Sequence, residues 1–225
     1  MTMLTPIEKK SLSTEVSNRI RSSIFNGSLK PGQKLLEQEL SEKMNTSRGP
    51  IREAFILLEH EGLVIREANR SVVVVDLTET DVEEIHSIRL SLELLALHYL
   101  CANSVVVNTR PMAEAIARLR SSIVDGSTLE DAVQHDLDFH EEMIRASGHS
   151  RLLKLWMSLR PQIGYLIFIK NIHSFFDFER GCNQHVEFIR LIDRKDYLNA
   201  EHLMRTHLTS VLDALLESFV QKLNA

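Results

Sequence analysis

The chain has few of the residues that mark secreted and membrane proteins. Its 225 residues include only two cysteines, Cys101 and Cys182, which are too few for a disulfide framework. No apolar run approaches the roughly 20 residues that a membrane-spanning helix needs, and the first residues lack the apolar core of a signal peptide. These absences argue against a disulfide-rich or membrane class, and we expect a cytoplasmic protein with no membrane partner.

Neither sign of charge is in large excess, because the net charge is only −5. Residues 1–78 contain 11 Lys and Arg against 10 Asp and Glu, whereas the rest of the chain contains 15 against 21. We therefore predict a near-neutral domain over residues 1–77 and an acidic one over residues 78–225. The first can bind nucleic acid only if its cations lie on one face.

Two short helices joined by a polar turn are predicted before Gly62. Leu36, Leu40 and Met44 repeat every four residues and indicate the first helix. Thr46 and Ser47 then supply an N-cap for a second helix, which Gly62 ends. The predicted inner stripe of the second helix contains Ile51, Phe55, Leu57 and Leu58. An earlier helix carries Leu12, Val16, Ile20 and Ile24 and ends at Asn26-Gly27.

The start of the second helix has side chains suited to reading DNA. Ser47 and Arg48 lie at its N-terminal end, and Arg52 follows one turn later. A helix-turn-helix presents this end of its recognition helix to the major groove. The alternative is an ordinary helical hairpin that carries Ser-Arg at its turn.

A β-hairpin is predicted directly after this helix. The β-branched runs 63–66 and 72–76 flank the polar turn 67–71, which is typical of a hairpin. A hairpin in this place is the wing of a winged helix-turn-helix. Arg70 at its tip would reach phosphate or the minor groove, and in a generic domain it would be a solvated loop cation.

Residues 9–78 resemble the winged helix-turn-helix of GntR-type bacterial transcriptional regulators. The motif is present as Pro31-Gly32, Glu39-Leu40-Ser41-Glu42, the run from Ser47 to Ala54, and Leu58 to Leu63. The resemblance implies that Ser47, Arg48, Gly49, Pro50 and Arg52 lie against double-stranded operator DNA. The sequence departs from the family at Gln38, where some members have arginine, and at Asn69-Arg70-Ser71, where many have Arg-Gly.

The rest of the chain has a helical pattern almost throughout. Thr78 to Asp81 forms a capping-box-like start, and turn-forming residues then interrupt the pattern at intervals. The run Val105 to Val107 is too short to argue for a strand. We predict six or seven helices in an antiparallel all-α bundle, so that the fold is mostly α with an N-terminal winged helix-turn-helix.

Four residues of this bundle have the spacing of a metal site. Asp136 and His140 lie four residues apart on one helix face. His185 and His207 lie at similar heights on either side of the turn Asp193 to Asp196, so both can point to one place. The four suit a divalent transition ion such as Zn²⁺, Ni²⁺ or Mn²⁺, with one or two coordination places open. The alternative for Asp136 and His140 is an exposed ion pair.

The other histidines and Cys182 lack partners at such spacing. We interpret the histidines as surface or packing residues and Cys182 as a small buried hydrophobe, less suited as a ligand. The histidines in question are His60, His86, His98, His135, His149, His173 and His202.

The C-terminal part resembles the FCD domain of the FadR subfamily of GntR regulators. The resemblance rests on Asp136 to His140, Ser147-Gly148, His185 and Arg205-Thr206-His207-Leu208. It implies a metal at Asp136, His140, His185 and His207, with a small carboxylate effector beside it. Arg89 and Arg160 are the candidate counter-charges for that carboxylate, and an internal Arg89–Glu93 ion pair is the competing explanation for Arg89.

These features predict a homodimeric, metal-dependent and ligand-responsive DNA-binding regulator, and family analogy favours a repressor. An effector at the metal would change operator affinity. One alternative is a metal sensor in which the ion is itself the signal. Another is a metal-dependent enzyme, but no general base lies beside the predicted site and such an enzyme has no use for the first domain.

Overall fold

The computed structural model describes residues 12–68, 70–102, 106–171 and 176–223. The chain forms two compact units that divide between Asp76 and Leu77. Three residues singled out in the sequence lie outside the described residues: Asn69, Val105 and His173.

The first unit is a winged helix-turn-helix, as predicted. Its elements are α1 (Leu12–Phe25), β1 (Lys34–Leu35), α2 (Glu37–Lys43), α3 (Arg48–His60), β2 (Val64–Arg66) and β3 (Val72–Val74). The strands form an antiparallel sheet in the order β1-β3-β2, so β3 is central. All three valines of β3 are buried, although successive side chains of a strand point to opposite faces, and Val73 lies between Lys34 of β1 and Ile65 of β2.

The core of this unit lies between α1, α3 and the sheet. Ile20, Ile51 and Phe55 are fully enclosed, which confirms most of the predicted inner stripes. Three predicted members were wrong, because Leu12 and Leu57 are exposed and Leu36 lies before α2, half exposed. The sequence analysis also missed β1, a strand of two residues that exists only through its pairing with β3.

The second unit is a bundle of helices, as predicted. Among the described residues from Leu77 onward there are six: α4 (Glu79–Ala102), α5 (Arg110–Val124), α6 (Leu129–Ala146), α7 (Ser150–Asn171), α8 (Phe176–Asp193) and α9 (Tyr197–Leu223). None of the described helices is long and apolar enough to cross a membrane.

Polar caps and turns set the helix boundaries in this unit. The predicted capping box at α4 is present, since the Thr78 hydroxyl accepts from the Asp81 N–H and the Asp81 carboxylate accepts from the Thr78 N–H. The turn between α8 and α9 places Lys195 at a φ of +58°, and it reverses the chain so that the two helices pack antiparallel. That packing positions the side chains described next.

Candidate metal centre and DNA-binding surface

Three buried histidines from three different helices meet inside the bundle. They are His140 of α6, His185 of α8 and His207 of α9, and one ring nitrogen from each lies within 4.8 Å of the others. His140 and His185 are completely enclosed, and His207 is 7% exposed. The three imidazoles therefore share one pocket that water does not reach freely.

Hydrogen bonds orient two of these rings. The Nδ1 atom of His140 lies 2.7 Å from Glu93 Oε2, and Nδ1 of His207 lies 2.8 Å from Gln184 Oε1. Both partners present an acceptor oxygen, so each Nδ1 donates, and in the neutral form of each ring Nε2 carries the lone pair. The two Nε2 atoms face each other at 3.4 Å. Two lone pairs at this distance repel each other unless a proton or a cation lies between them.

Burial and charge determine the ionisation of the site. Burial would raise the pKa of Glu93, but the neighbouring His140 and Arg89 charges and their hydrogen bonds hold that pKa below its usual value. Burial, reinforced by His140, lowers the pKa of both His185 and His207 well below the ordinary histidine value. His185 and His207 therefore favour the neutral form, which is the form that binds metal ions, and Glu93 offers His140 the second-layer carboxylate that is common behind a metal-binding histidine.

The environment of His185 gives the strongest argument for a bound metal ion. Its ring stacks on Phe139 at 3.9 Å, and neither ring nitrogen has a hydrogen-bond partner among the described residues. A buried polar atom without a partner is costly, and a cation between the rings would satisfy it. The described side chains thus fit a divalent transition ion.

Asp136 lies beside the three histidines rather than within their group. Its Oδ1 atom is 3.7 Å from His185 Nε2, and the carboxyl is 7% exposed. Burial raises the pKa of Asp136, which the charge of His140 partly counteracts. The structure therefore brings three of the four predicted ligands together and places the fourth at their edge. Cys182 stays outside the group, and burial raises the pKa of its thiol to about 11.

A cavity of about 220 Å³ adjoins the histidines. Asp136 and His207 belong to its wall, so the cavity touches the candidate metal centre. Three cationic side chains also line it, namely Arg89, Lys170 and Arg180. A small anion therefore fits both its size and its charge.

The two predicted effector arginines differ in their positions. Arg89 lines the cavity, and its Nε also donates to Glu93 Oε1 at 2.7 Å, so the competing ion pair is present as well. Arg160 does not line the cavity. It donates to Asp138 Oδ1 at 2.8 Å and lies 3.2 Å from Glu141. Because these carboxylates already neutralise its charge, Arg160 is not placed to bind an effector there.

Sequence reasoning missed four residues of the site. Glu93 was considered only as a partner for Arg89, although it also accepts from His140 and, at 3.4 Å, from the Trp156 indole N–H. Gln184 binds His207 across the α8–α9 hairpin, and Lys170 and Arg180 line the cavity. The signal in the sequence was that Arg180 and Gln184 lie four residues apart, on one face of a helix that also carries His185.

The predicted DNA-contacting residues lie together at the start of α3. Ser47, Arg48, Gly49 and Arg52 are exposed and Pro50 is half-buried. Residue 47 is the N-cap in an extended conformation, although its hydroxyl does not bond to the helix. The unit therefore presents a small, basic surface at the helix end that enters the major groove in proteins of this fold.

The wing tip has a conformation that its sequence does not favour. Arg70 is exposed with a φ of +65°, and its N–H donates to the Glu67 carbonyl at 2.8 Å. Glu67 in turn donates its N–H to the Ser71 carbonyl at 2.9 Å, which closes the turn. A non-glycine residue at the wing tip thus adopts the backbone conformation that glycine tolerates best.

A winged helix-turn-helix followed by a helical domain with a buried ligand site defines a DNA-binding regulator. Sequence profiles agree, since the family described as bacterial regulatory proteins, gntR family, matches residues 12–74 and the FCD domain matches residues 84–210. The chain belongs to the GntR family of transcriptional regulators, in the branch that carries an FCD domain.

Individual relatives support the same assignment. The gluconate operon transcriptional repressor of Bacillus licheniformis is 29% identical over 194 residues, which span 84% of this chain and 79% of the relative. A putative GntR regulator from Rhodococcus sp. RHA1 superimposes with a TM-score of 0.77 at 22% identity, covering 92% of this chain and 99% of that one. Escherichia coli McbR/YncC gives 0.76 at 19% identity over 94% and 100%. Because the family and these homologues are transcriptional regulators, the enzyme alternative is set aside.

Proposed function

We propose that this regulator is a cytoplasmic homodimeric repressor whose operator affinity is controlled by a small carboxylate bound at a divalent metal centre. The observation that carries the proposal is the convergence of His140, His185 and His207, with both nitrogens of His185 unpaired among the described residues, beside a cationic cavity. His140, His185 and His207 would hold the ion, and Asp136 at their edge is the fourth candidate.

The bound ion would supply a Lewis-acidic site for one carboxylate oxygen of the effector. The chain's own residues supply the rest of the recognition. Arg180 and Lys170 offer positive charge on the cavity wall, and Arg89 adds a guanidinium whose charge Glu93 offsets. Since Arg160 lies elsewhere, Arg180 takes its place as the proposed second effector contact.

Repression and dimerisation follow from different arguments. The relative named above is a repressor of a gluconate operon, and we extend only the repressor role to this chain. The carboxylate effector is proposed from the cationic lining of the cavity. A single recognition helix reads a short half-site, so two copies related by a two-fold axis would read a near-palindromic operator. We propose that Ser47, Arg48, Gly49, Pro50, Arg52 and the wing residue Arg70 contact it.

Metal content is the first test of the proposal. We expect about one transition-metal ion per chain in the purified protein, measured by mass spectrometry of the metals, and a loss in His185→Ala and in His207→Ala. His202→Ala is the matched control, because His202 is exposed on the same helix as His207. A metal-free parent protein, or equal metal in all variants, would contradict the metal centre.

The proposed response to a carboxylate effector needs a separate measurement. Operator affinity of the metal-loaded protein is measured with and without a panel of small carboxylates, at constant ionic strength. We expect Arg180→Gln to weaken the response and Arg190→Gln to leave it unchanged, since Arg190 lies on the same helix but pairs with Glu187. A response that survives Arg180→Gln in full would exclude that contact.

A metal sensor is the second candidate, and the same three histidines favour it. The two functions differ in what changes in the cell. In a sensor, operator affinity follows metal occupancy in buffered metal solutions without any carboxylate. In the proposed function, the metal stays bound and the carboxylate changes the affinity.

A further inference from the structure

Two side chains at the start of α2 hold the arginines of the recognition helix. Glu37 Oε2 accepts from Arg52 Nε at 2.7 Å, and Gln38 Oε1 accepts from Arg48 Nη2 at 3.1 Å. The Gln38 amide nitrogen also donates to Glu42 Oε1 at 3.0 Å, which fixes the direction of its carbonyl. Both recognition-helix arginines that are proposed to meet DNA are therefore paired with a neighbouring residue of α2 before DNA arrives.

The Glu37–Arg52 pair does little for stability. Its side chains are 31% and 62% exposed, and exposed ion pairs contribute little because water and salt screen them. A carboxylate on a DNA-facing surface also repels phosphate. Any favourable effect of Glu37 on recognition must therefore come from its effect on the position and charge of Arg52.

The pairing with Glu37 leaves the terminal guanidinium nitrogens of Arg52 available to bind a base. Glu37 accepts from Nε, so the two terminal nitrogens of Arg52 are not used in that hydrogen bond and remain as donors. Two parallel donors are what a guanidinium uses to bind O6 and N7 of guanine. Because Glu37 already restricts the side chain, less conformational entropy is lost when the base contact forms.

Charge strengthens this effect. Residues 1–78 hold only one more cationic than anionic side chain, so sequence-independent attraction to DNA is weak. Glu37 offsets the charge of Arg52 and reduces that attraction further, while the directional hydrogen bonds of the guanidinium remain. Binding to non-operator DNA then falls more than binding to the operator.

We propose that Glu37 and Gln38 are positioning residues that set the discrimination between operator and other DNA by holding Arg52 and Arg48. This inference rests on the proposed DNA contacts of these arginines. It assigns to α2 a role in sequence selection that acts through α3.

The test uses the full-length protein, an operator selected from a random duplex library, and a scrambled duplex of the same composition. For Glu37→Gln we expect tighter binding to the scrambled duplex, a salt dependence on it that is steeper by about one charge, and a specificity ratio roughly tenfold lower. Gln38→Ala should lower the ratio by weakening operator binding. Glu37→Asp should restore part of the ratio.

Glu39→Gln is the matched control, because Glu39 lies on the same helix but pairs with Lys43. If Glu37→Gln and Glu39→Gln change both affinities by the same factor, the positioning role is wrong. Arg48→Ala and Arg52→Ala separate this result from a failure of the DNA contacts themselves. If the two arginine variants weaken operator binding but Glu37→Gln leaves the specificity ratio unchanged, only the positioning role of Glu37 is wrong. If the arginine variants do not change operator binding, the proposed DNA contacts of Arg48 and Arg52 are wrong as well.

Discussion

Glu93 is the single residue on which most of the buried site depends. Its carboxylate accepts from Arg89 and from His140, and it is fully enclosed. We predict that Glu93→Gln lowers metal affinity by roughly 10- to 100-fold, because a weaker acceptor orients and polarises His140 less well. It should also reduce the free energy of unfolding by about 3 kcal/mol, since Arg89 is left buried without a counter-charge.

Titration calorimetry with Zn²⁺ and denaturant unfolding measure the two effects of Glu93→Gln. Glu84→Gln is the control, because Glu84 is an exposed glutamate of the same helix. If metal affinity is unchanged while stability falls, Glu93 serves the Arg89 pair alone, and its assignment as a partner of the metal-binding histidine is wrong.

Arg70 allows wing strain and the wing contact to be measured separately. A non-glycine residue at a φ of +65° is strained by about 1 kcal/mol, so we predict that Arg70→Gly stabilises the first unit by roughly that amount. The same change should weaken operator binding, because the tip cation is lost. Arg70→Ala should weaken binding equally without the gain in stability.

Denaturant unfolding and operator titration test the Arg70 variants side by side. Equal stability of the glycine and alanine variants would refute the strain argument. Unchanged operator affinity in both would remove Arg70 from the DNA-contacting set and leave the strain argument intact.

At the scale of single elements, the start of α4 offers a pH-dependent test. Hydrogen bonds from Thr78 lower the pKa of Asp81, so its stabilising effect is present above the ordinary aspartate value and is lost as the pH falls through the lowered pKa. We predict that Asp81→Ala costs about 1 kcal/mol at pH 7 and that this cost shrinks below about pH 4.

Glu79→Ala controls for the loss of a first-turn negative charge, because Glu79 takes no part in the capping box. Unfolding is followed in denaturant from pH 7 down to the onset of acid denaturation. A cost of Asp81→Ala that stays constant over this range would show that the carboxylate charge does not matter to the cap.

Elements with local signals were predicted correctly from the sequence. The stripe of α1 from Val16 to Ile24, the N-cap before α3 and the turn between α8 and α9 depend on residues close together in the chain. Elements that depend on distant partners were missed or misplaced. The strand β1 exists through pairing with residues nearly forty positions later, and Val73 is buried because two strands flank it.

The same distinction explains the site at the scale of the whole molecule. The convergence of His185 and His207 followed from helix rise across one short turn. The bond from Glu93 to His140 joins residues 47 positions apart, and Arg160 pairs with Asp138 across 22. Neither contact could be predicted from the spacing of residues in the sequence. The packing of the whole bundle decides which faces of α4, α6 and α7 meet.

Metal binding should stabilise the folded protein as a whole. A ligand that binds only the native state at 100 times its Kd adds about 2.7 kcal/mol to the free energy of unfolding. We predict a gain of this size when Zn²⁺ is added to metal-stripped protein, and its loss on chelation. His207→Ala should lose most of the gain, whereas His202→Ala should keep it, because only His207 belongs to the buried group. An equal gain in both variants would mean that the stabilising ion binds elsewhere, and the three buried histidines would then serve packing rather than metal.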